Sequence, residues 1–271
     1  MKSAILWQPS TQRILNAALA AGVVSAALLP LAASAELSND ALLGPGLRYR
    51  PAYDGSRSTQ VELVPVIRYF GDNWFVRSTQ GVLETGVRTE LAQGLHVGAQ
   101  LAYEAGRRAG DAAFLRSHQI AEIKTGASAG LQLEWDHTIG PVPFTLLTRL
   151  RQNFDTDRGA QVDLRLSAGV FHGGPVSAGI FGQATWANAK SASTWYGIAP
   201  QQSAITGLAA FQPGGGLLFT SVGLLWSVDL DPKWVIVGSL ESRRLSGNVS
   251  HSPLVEQPSS RYISAGIAYH F

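Results

Sequence analysis

The sequence has no cysteine, a single methionine, and charged residues at only 15% of its 271 positions. Without a thiol there is no disulfide, no thiolate nucleophile and no cysteine-ligated zinc. Charge of one sign is also missing. The 21 basic residues fall to 19 once Lys2 and Arg13 are set aside, level with 19 acidic ones, so nothing advertises nucleic acid as a partner. After residue 35 no apolar run approaches the roughly 20 residues that a membrane-crossing helix needs. Helical spacing of apolar residues is likewise absent from that part of the chain.

The only long apolar run is at the start. Lys2 and Arg13 precede Ile14 to Ala32, and Ala33-Ser34-Ala35 stands before Glu36. A thinly basic stretch, an uncharged apolar core and a small-x-small site predict a secretory signal peptide, residues 1–35, removed after Ala35. A spanning anchor competes with this reading, but Asn16 interrupts the run, Pro30 lies near its end, and the cleavage site follows directly. The expected mature domain is 36–271. If it enters a membrane, it does so as a β-barrel, which also satisfies its backbone within lipid.

Alternation runs through that domain. Val162, Leu164, Leu166, Ala168 and Val170 interleave with Asp163, Arg165, Ser167, Gly169 and Phe171. The same period-two pattern recurs around 95–104, 123–135, 220–230 and 261–271. The segments are longer than ordinary globular strands and match a tilted strand crossing a bilayer. About twelve strands are expected, at 43–51, 61–70, 74–79, 82–89, 95–106, 121–135, 143–153, 160–172, 175–188, 217–230, 234–245 and 261–271. Ten is the alternative, because 74–79 is the weakest segment. Connections alternate between short turns and longer loops, except at Gln80-Gly81, which is short where a long loop is due. The expected fold is therefore all-β: a transmembrane antiparallel up-and-down barrel in the Gram-negative outer membrane, with short periplasmic turns and longer extracellular loops.

One face of these strands is apolar, with aromatic residues near its ends (Tyr69, Tyr103, Trp135, Trp186, Tyr269, Phe271), where outer-membrane lipid has its interfaces. The other face carries charges in mid-strand: Arg68, Arg88, Lys124, Glu134, Arg149, Arg151, Asp163, Arg165, Asp229, Glu241 and Arg243. The same parity adds Arg48, Arg50, Arg77, Glu62, Glu84 and Glu104. Such a lumen is either a ladder of cross-strand ion pairs or a weakly anion-preferring channel. Near-balanced charge favours the ladder. The last strand, with Ile267, Tyr269 and Phe271 outward, resembles the C-terminal signal read by the outer-membrane barrel assembly machinery.

No catalytic site is expected. The six histidines show no close metal-ligand spacing, and Ser117-His118 and His251-Ser252 read as solvated loop neighbours. Asp155 and Asp157 read as an acidic turn. No cofactor or metal is expected. The long connection 189–216 exceeds a mere connector and is expected to fold on itself, packing down Trp195, Tyr196 and Phe211.

Three stretches carry a family resemblance: PAYDGS (Pro51 to Ser56), Tyr196 to Leu217, and RLSGNVSHSPLVE (Arg244 to Glu256). Tyr196-Gly197, Pro200, Gln202-Ser203, Gly207-Leu208 and Gly216-Leu217 stand in the order and spacing of the MipA/OmpV family, and the likeness spans the mature chain. One departure is His251 before Ser252-Pro253, where the family usually has an acidic residue. The resemblance implies a barrel rather than an enzyme. MipA-like members are described as holding a lytic transglycosylase and a murein synthase together in peptidoglycan biosynthesis. OmpV-like members are described as surface antigens, adhesins or pores. Scaffold, small-solute channel and adhesin are therefore the three readings.

Overall fold

The computed structural model describes residues 41–271, so the expected signal peptide lies outside the described residues. The described chain forms twelve strands: β1 (Leu42–Pro51), β2 (Thr59–Phe70), β3 (Trp74–Thr79), β4 (Val82–Ala92), β5 (Leu95–Glu104), β6 (Gly126–Ile139), β7 (Val142–Asn153), β8 (Ala160–Gly173), β9 (Val176–Ala187), β10 (Gly216–Asp229), β11 (Trp234–Leu245) and β12 (Ser259–His270). Each pairs antiparallel with its neighbours in sequence, and β12 pairs with β1 to close the barrel. At that seam Gly46 lies opposite Gly266. A Cβ on Gly44 would collide with the Ile267 carbonyl, so the closure needs glycine there.

The burial pattern reverses that of a water-soluble β protein. In β8, Asp163, Arg165 and Ser167 are 1–3% exposed, whereas Val162, Leu164 and Leu166 are 37–53% exposed. Polar side chains fill the interior and apolar ones face outward, as lipid requires. Among the described residues no helix is long and apolar enough to cross a membrane. Aromatic residues ring the outer face toward the short turns. Tyr69 lies 4.6 Å from Trp74 between ring centroids, and Tyr269 lies 5.2 Å from Trp234 and 5.3 Å from Phe271. Tyr49, Tyr103 and Trp186 are exposed nearer the long-loop end. Two such belts are what a bilayer-spanning barrel presents.

The short segment 74–79 is a genuine strand, which settles twelve over ten. Other expectations are corrected. β6 begins at Gly126, not at 121, because β5 ends at Glu104 and the segment before β6 has no ladder partner beyond a single bridge between Arg107 and Ile123. Lys124 therefore sits exposed in a loop rather than in the lumen. Asp229, the last residue of β10, keeps the inner side expected for it, opposite the buried Val235, but at the short-turn rim it is exposed rather than enclosed. Helices are present after all, in the loops: α1 (Ala113–Ser117), α2 (Ala189–Tyr196) and α3 (Pro200–Thr206). All are short: Leu115 of α1 packs among loop residues, Ala192 and Tyr196 of α2 pack on the ends of β9, β10 and β11, and Ile205 of α3 is exposed.

Candidate functional site: a filled lumen beneath a folded cap

Glu84 on β4 is fully buried and grips two arginines. Arg77 Nε on β3 approaches Oε2 at 2.9 Å, and Arg149 Nη1 on β7 approaches Oε1 at 2.5 Å. Arg77 also meets Glu134 Oε2 at 2.9 Å and donates to Gln132 Oε1 at 2.9 Å. Arg88 Nη1 completes Glu134 at 3.2 Å. On the other side Arg149 and Arg151 share Asp163 Oδ2 at 3.4 and 2.9 Å, and Thr185 donates to Asp163 Oδ1 at 2.7 Å. Arg151 and Arg158 then lie 3.6 and 3.9 Å from Glu104. One network thus crosses the lumen from β3 to β9. Burying these ions is costly unless each is paired and hydrogen-bonded, and alternating arginine and carboxylate does that.

A second cluster lies near β11. Arg243 meets Glu241 and Asp54 at 2.9 Å each, stacks 4.2 Å over Phe219 and 4.5 Å over Tyr262, and the Tyr262 hydroxyl donates to Asp54. Arg165 lies 4.0 Å over the Phe181 ring, and Arg68 5.1 Å over Phe70. Of the charges expected in the lumen, Arg68, Arg88, Glu134, Arg149, Arg151, Asp163, Arg165, Glu241 and Arg243 are there. Sequence parity missed Asp54, Gln80 and Arg158, which reach in from connections where strand alternation no longer applies.

The long loops close over this interior. Ala52 and Tyr53, Ala112 and Leu115, Ile120, Ile198 and Leu254 form one apolar cluster drawn from four loops. Tyr196, Ala192, Leu218, Phe219, Leu245 and Val249 form another, with Trp195 and Val255 packed against it. Polar ties run between the loops. Ser252 Oγ donates to the Tyr196 carbonyl at 2.6 Å, Tyr53 Oη to the Leu254 carbonyl at 2.9 Å, and Arg107 Nη1 to the Trp195 carbonyl at 2.8 Å. Burial raises the pKa of both Tyr53 and Tyr196, reinforced by the charges of Glu256 and Asp54 respectively. Burial lowers that of Arg107.

Each residue of the 196–216 motif has a folding role in this cap. Asn188 caps α2 by accepting from Ser191 N at 2.9 Å. Tyr196 is its buried end, and a Cβ on Gly197 would press on the Ser193 carbonyl at 2.5 Å. Pro200 opens α3 at a position where its missing N–H costs nothing, and Gln202 reaches back to Ala199 N at 3.1 Å. Ser203 Oγ donates to the Leu208 carbonyl at 2.6 Å, Leu208 packs on the first cluster, and Gly207 ends the helix at φ 69°. Gly216, at φ 147°, starts β10. The motif builds a helix–turn–helix lid.

Ser117 and His118 meet at 3.1 Å in the loop after β5. His251 is exposed as expected, but Ser252 beside it is buried, not solvated, because the loop turns its hydroxyl onto the Tyr196 carbonyl. Among the described residues no group of three or more His, Asp or Glu is placed to hold a metal. Ile267 and Phe271 face outward, and Tyr269 is held between Trp234 and Phe271.

The family model described as MltA-interacting protein MipA matches residues 43–271, the whole barrel from its first strand. The chain belongs to the MipA family. The MltA-interacting proteins of Escherichia coli K12 and Shigella flexneri are each 28% identical to this MipA-family chain over 219 residues, covering 79% of it and 83% of each relative. Among solved structures, the NanC porin aligns over 84% of this chain and all of its own, at 12% identity and a TM-score of 0.48. LpxR from Salmonella typhimurium aligns over the same shares, at 10% identity and a TM-score of 0.46. The MipA-family chain is a closed twelve-stranded β-barrel with an apolar outer wall.

Proposed function

We propose that this protein is a non-enzymatic scaffold of the outer membrane, which holds a lytic transglycosylase, and with it a murein synthase, against the periplasmic face. The observation that carries this reading is the filled interior. Glu84, Arg149 and Asp163 interlock across the barrel while the loops pack into a cap, which disfavours a conducting pore. Family membership supplies the partner class, since the relatives are named for interaction with MltA. The periplasmic side also offers a contact surface. Asp136 N bonds the carbonyl of Gly94 in the β4–β5 turn, and the β6–β7 hairpin continues past it to an exposed Ile139.

The test is capture of purified lytic transglycosylase by the immobilised, folded barrel, with a planar-bilayer recording of the same preparation. Retention of the enzyme, reduced by Ile139→Asp, together with an electrically silent barrel, is the expected result. Steady channel openings without retention would overturn the scaffold and make this protein a channel.

A further inference from the structure

The connection at Gln80-Gly81 is short where every other connection on that side is long, and the structure shows its consequence. β2 pairs with β1 from Thr59 to Arg68, but with β3 only at Arg68, Tyr69 and Phe70. Residues 59–65 of β2 therefore have an edge with no strand beside it among the described residues. The β3–β4 turn does not rise along this edge. It bends inward, so that Gln80 Nε2 donates to Glu241 Oε2 on β11 at 3.2 Å and Gly81 lies against the Arg48 guanidinium. Above, the segment after β5 crosses to the top of β1, with Leu115 packed near Tyr53 and Arg107 5.8 Å over the Tyr53 ring. The outcome is a lateral window in the extracellular half of the wall, with the free edge of β2 on one side, the Gln80-Gly81 turn as sill, and the 105–125 segment, which starts where β5 ends at Glu104, closing it opposite and above.

The chemistry of the window has two sides. Outside, Val61 and Leu63 are 65% and 76% exposed. At the inner lip, Arg48 reaches no closer than 3.7 Å to Glu62, beyond hydrogen-bond range, while Arg50 takes the same carboxylate at 2.8 Å. Arg48 thus keeps donors in hand at the sill, resting 5.0 Å from the Tyr262 ring. Arg57, exposed just above Thr59, adds a cation at headgroup height. The free edge itself is shaped against strand pairing. Ile67 N points toward β3, bonded to Ser78 Oγ at 3.1 Å, so by alternation Pro65 presents its missing N–H to the window. A partner strand would find a gap in the ladder there.

We propose that this window binds a phosphate-bearing acylated amphiphile of the outer leaflet, its acyl chains on Val61 and Leu63 and its phosphate on the Arg48 guanidinium. An apolar exterior beside a cation with spare donors matches that chemistry, since guanidinium and phosphate pair strongly where water is scarce. Backbone left unpaired at membrane depth is tolerated where it lines a polar opening, which a headgroup and its water provide.

The experiment is native mass spectrometry of the folded barrel, equilibrated in detergent with bisphosphorylated lipid A, with the same acylated disaccharide stripped of phosphate, or with inorganic phosphate alone. Lipid A is expected to be retained, and the dephosphorylated form about tenfold less, the size of one charge-assisted contact. Arg48→Gln should lower lipid A retention by a similar factor, Arg48→Lys should restore part of it, and Leu63→Ser should weaken it where Leu131→Ser on the far wall does not. Heat-modifiable gel mobility verifies that each variant is folded. Equal retention of both amphiphiles, retention unchanged in folded Arg48→Gln, or retention of inorganic phosphate alone would overturn the proposal. So would a lipid-free dimer mass, which would put a second copy on the β2 edge.

Discussion

Glu84 on β4 and Arg149 on β7 meet at 2.5 Å inside the barrel, with the carboxylate entirely out of solvent. The strands that carry them are not neighbours, so the contact braces the wall from within. Glu84→Ala leaves Arg77 and Arg149 each short of a partner in a buried site. The expected loss is about 3–5 kcal/mol, as for a buried ion pair broken on one side. Glu84→Gln should cost less, because an amide oxygen still accepts from one guanidinium. Urea unfolding of the barrel in lipid vesicles checks both values. A Glu84→Ala variant as stable as the parent would mean that the interior is solvated rather than packed.

Ser252 makes two bonds with one hydroxyl, donating to the Tyr196 carbonyl at 2.6 Å and accepting from Leu254 N at 3.1 Å. Ser252→Ala leaves both groups buried and unmet, a cost of about 1–3 kcal/mol. That cost falls on the cap alone, since no strand contact changes. Limited proteolysis should cut within 189–215 and 246–258 faster in the variant, while the strands stay protected from hydrogen exchange.

The barrel was legible in the sequence because period-two alternation runs through most of each strand, even the six-residue β3, and breaks only at bulges such as that in β8, which turns Phe171 outward beside Val170. The limits of that legibility are physical. Parity says which way a side chain points only while a ladder continues, so it fails for Lys124, whose segment has left the ladder, and for Asp229 it gives the side, shared with its partner Val235, but not the exposure at the rim. Asp54 and Arg158 reach the interior from turns, where parity says nothing. The helices of the cap leave no apolar period in the sequence because they are five to eight residues long and are held by caps, other loops and strand ends. Pro200 with Gln202 and Gly207 was the visible signal for α3, a helix-start residue and a helix-stop residue at matching distance. The 196–216 resemblance marked those positions, but the resemblance alone gave them no role. Their geometry does.

Tyr53 and Tyr196 make the cap sensitive to alkali. Both phenols are held protonated by burial, so their folded pKa values lie above the unfolded value of about 10. Below that unfolded value their contribution to cap stability is complete. As pH rises past it, the opened cap releases phenolic protons that the closed cap retains, and stability falls until the folded pKa is reached. In an absorbance titration the exposed tyrosines should ionise first, with Tyr53 and Tyr196 ionising only as the cap opens. Tyr53→Phe should remove one late-ionising group and flatten the alkaline loss of hydrogen-exchange protection in the cap. If all tyrosines ionise together while the cap stays protected, the two phenols are not buried as described.

Gly207 gives the sharpest test of the lid's role. Its φ of 69° ends α3, and a Cβ there would meet nothing, so Gly207→Ala probes backbone conformation without a steric clash. The left-handed region costs an alanine roughly 1 kcal/mol more than glycine. Gly207→Asn, which tolerates that region better, should recover part of the loss. Hydrogen exchange at 200–211 should quicken in Gly207→Ala and remain unchanged across β6 to β8, because the helix end touches the cap and not the strands. If capture of a periplasmic partner is unaffected by this loosening, the lid and the scaffold surface act at opposite ends of the barrel. If capture weakens with it, the partner must be sensing the cap, and contact confined to the short-turn side is ruled out.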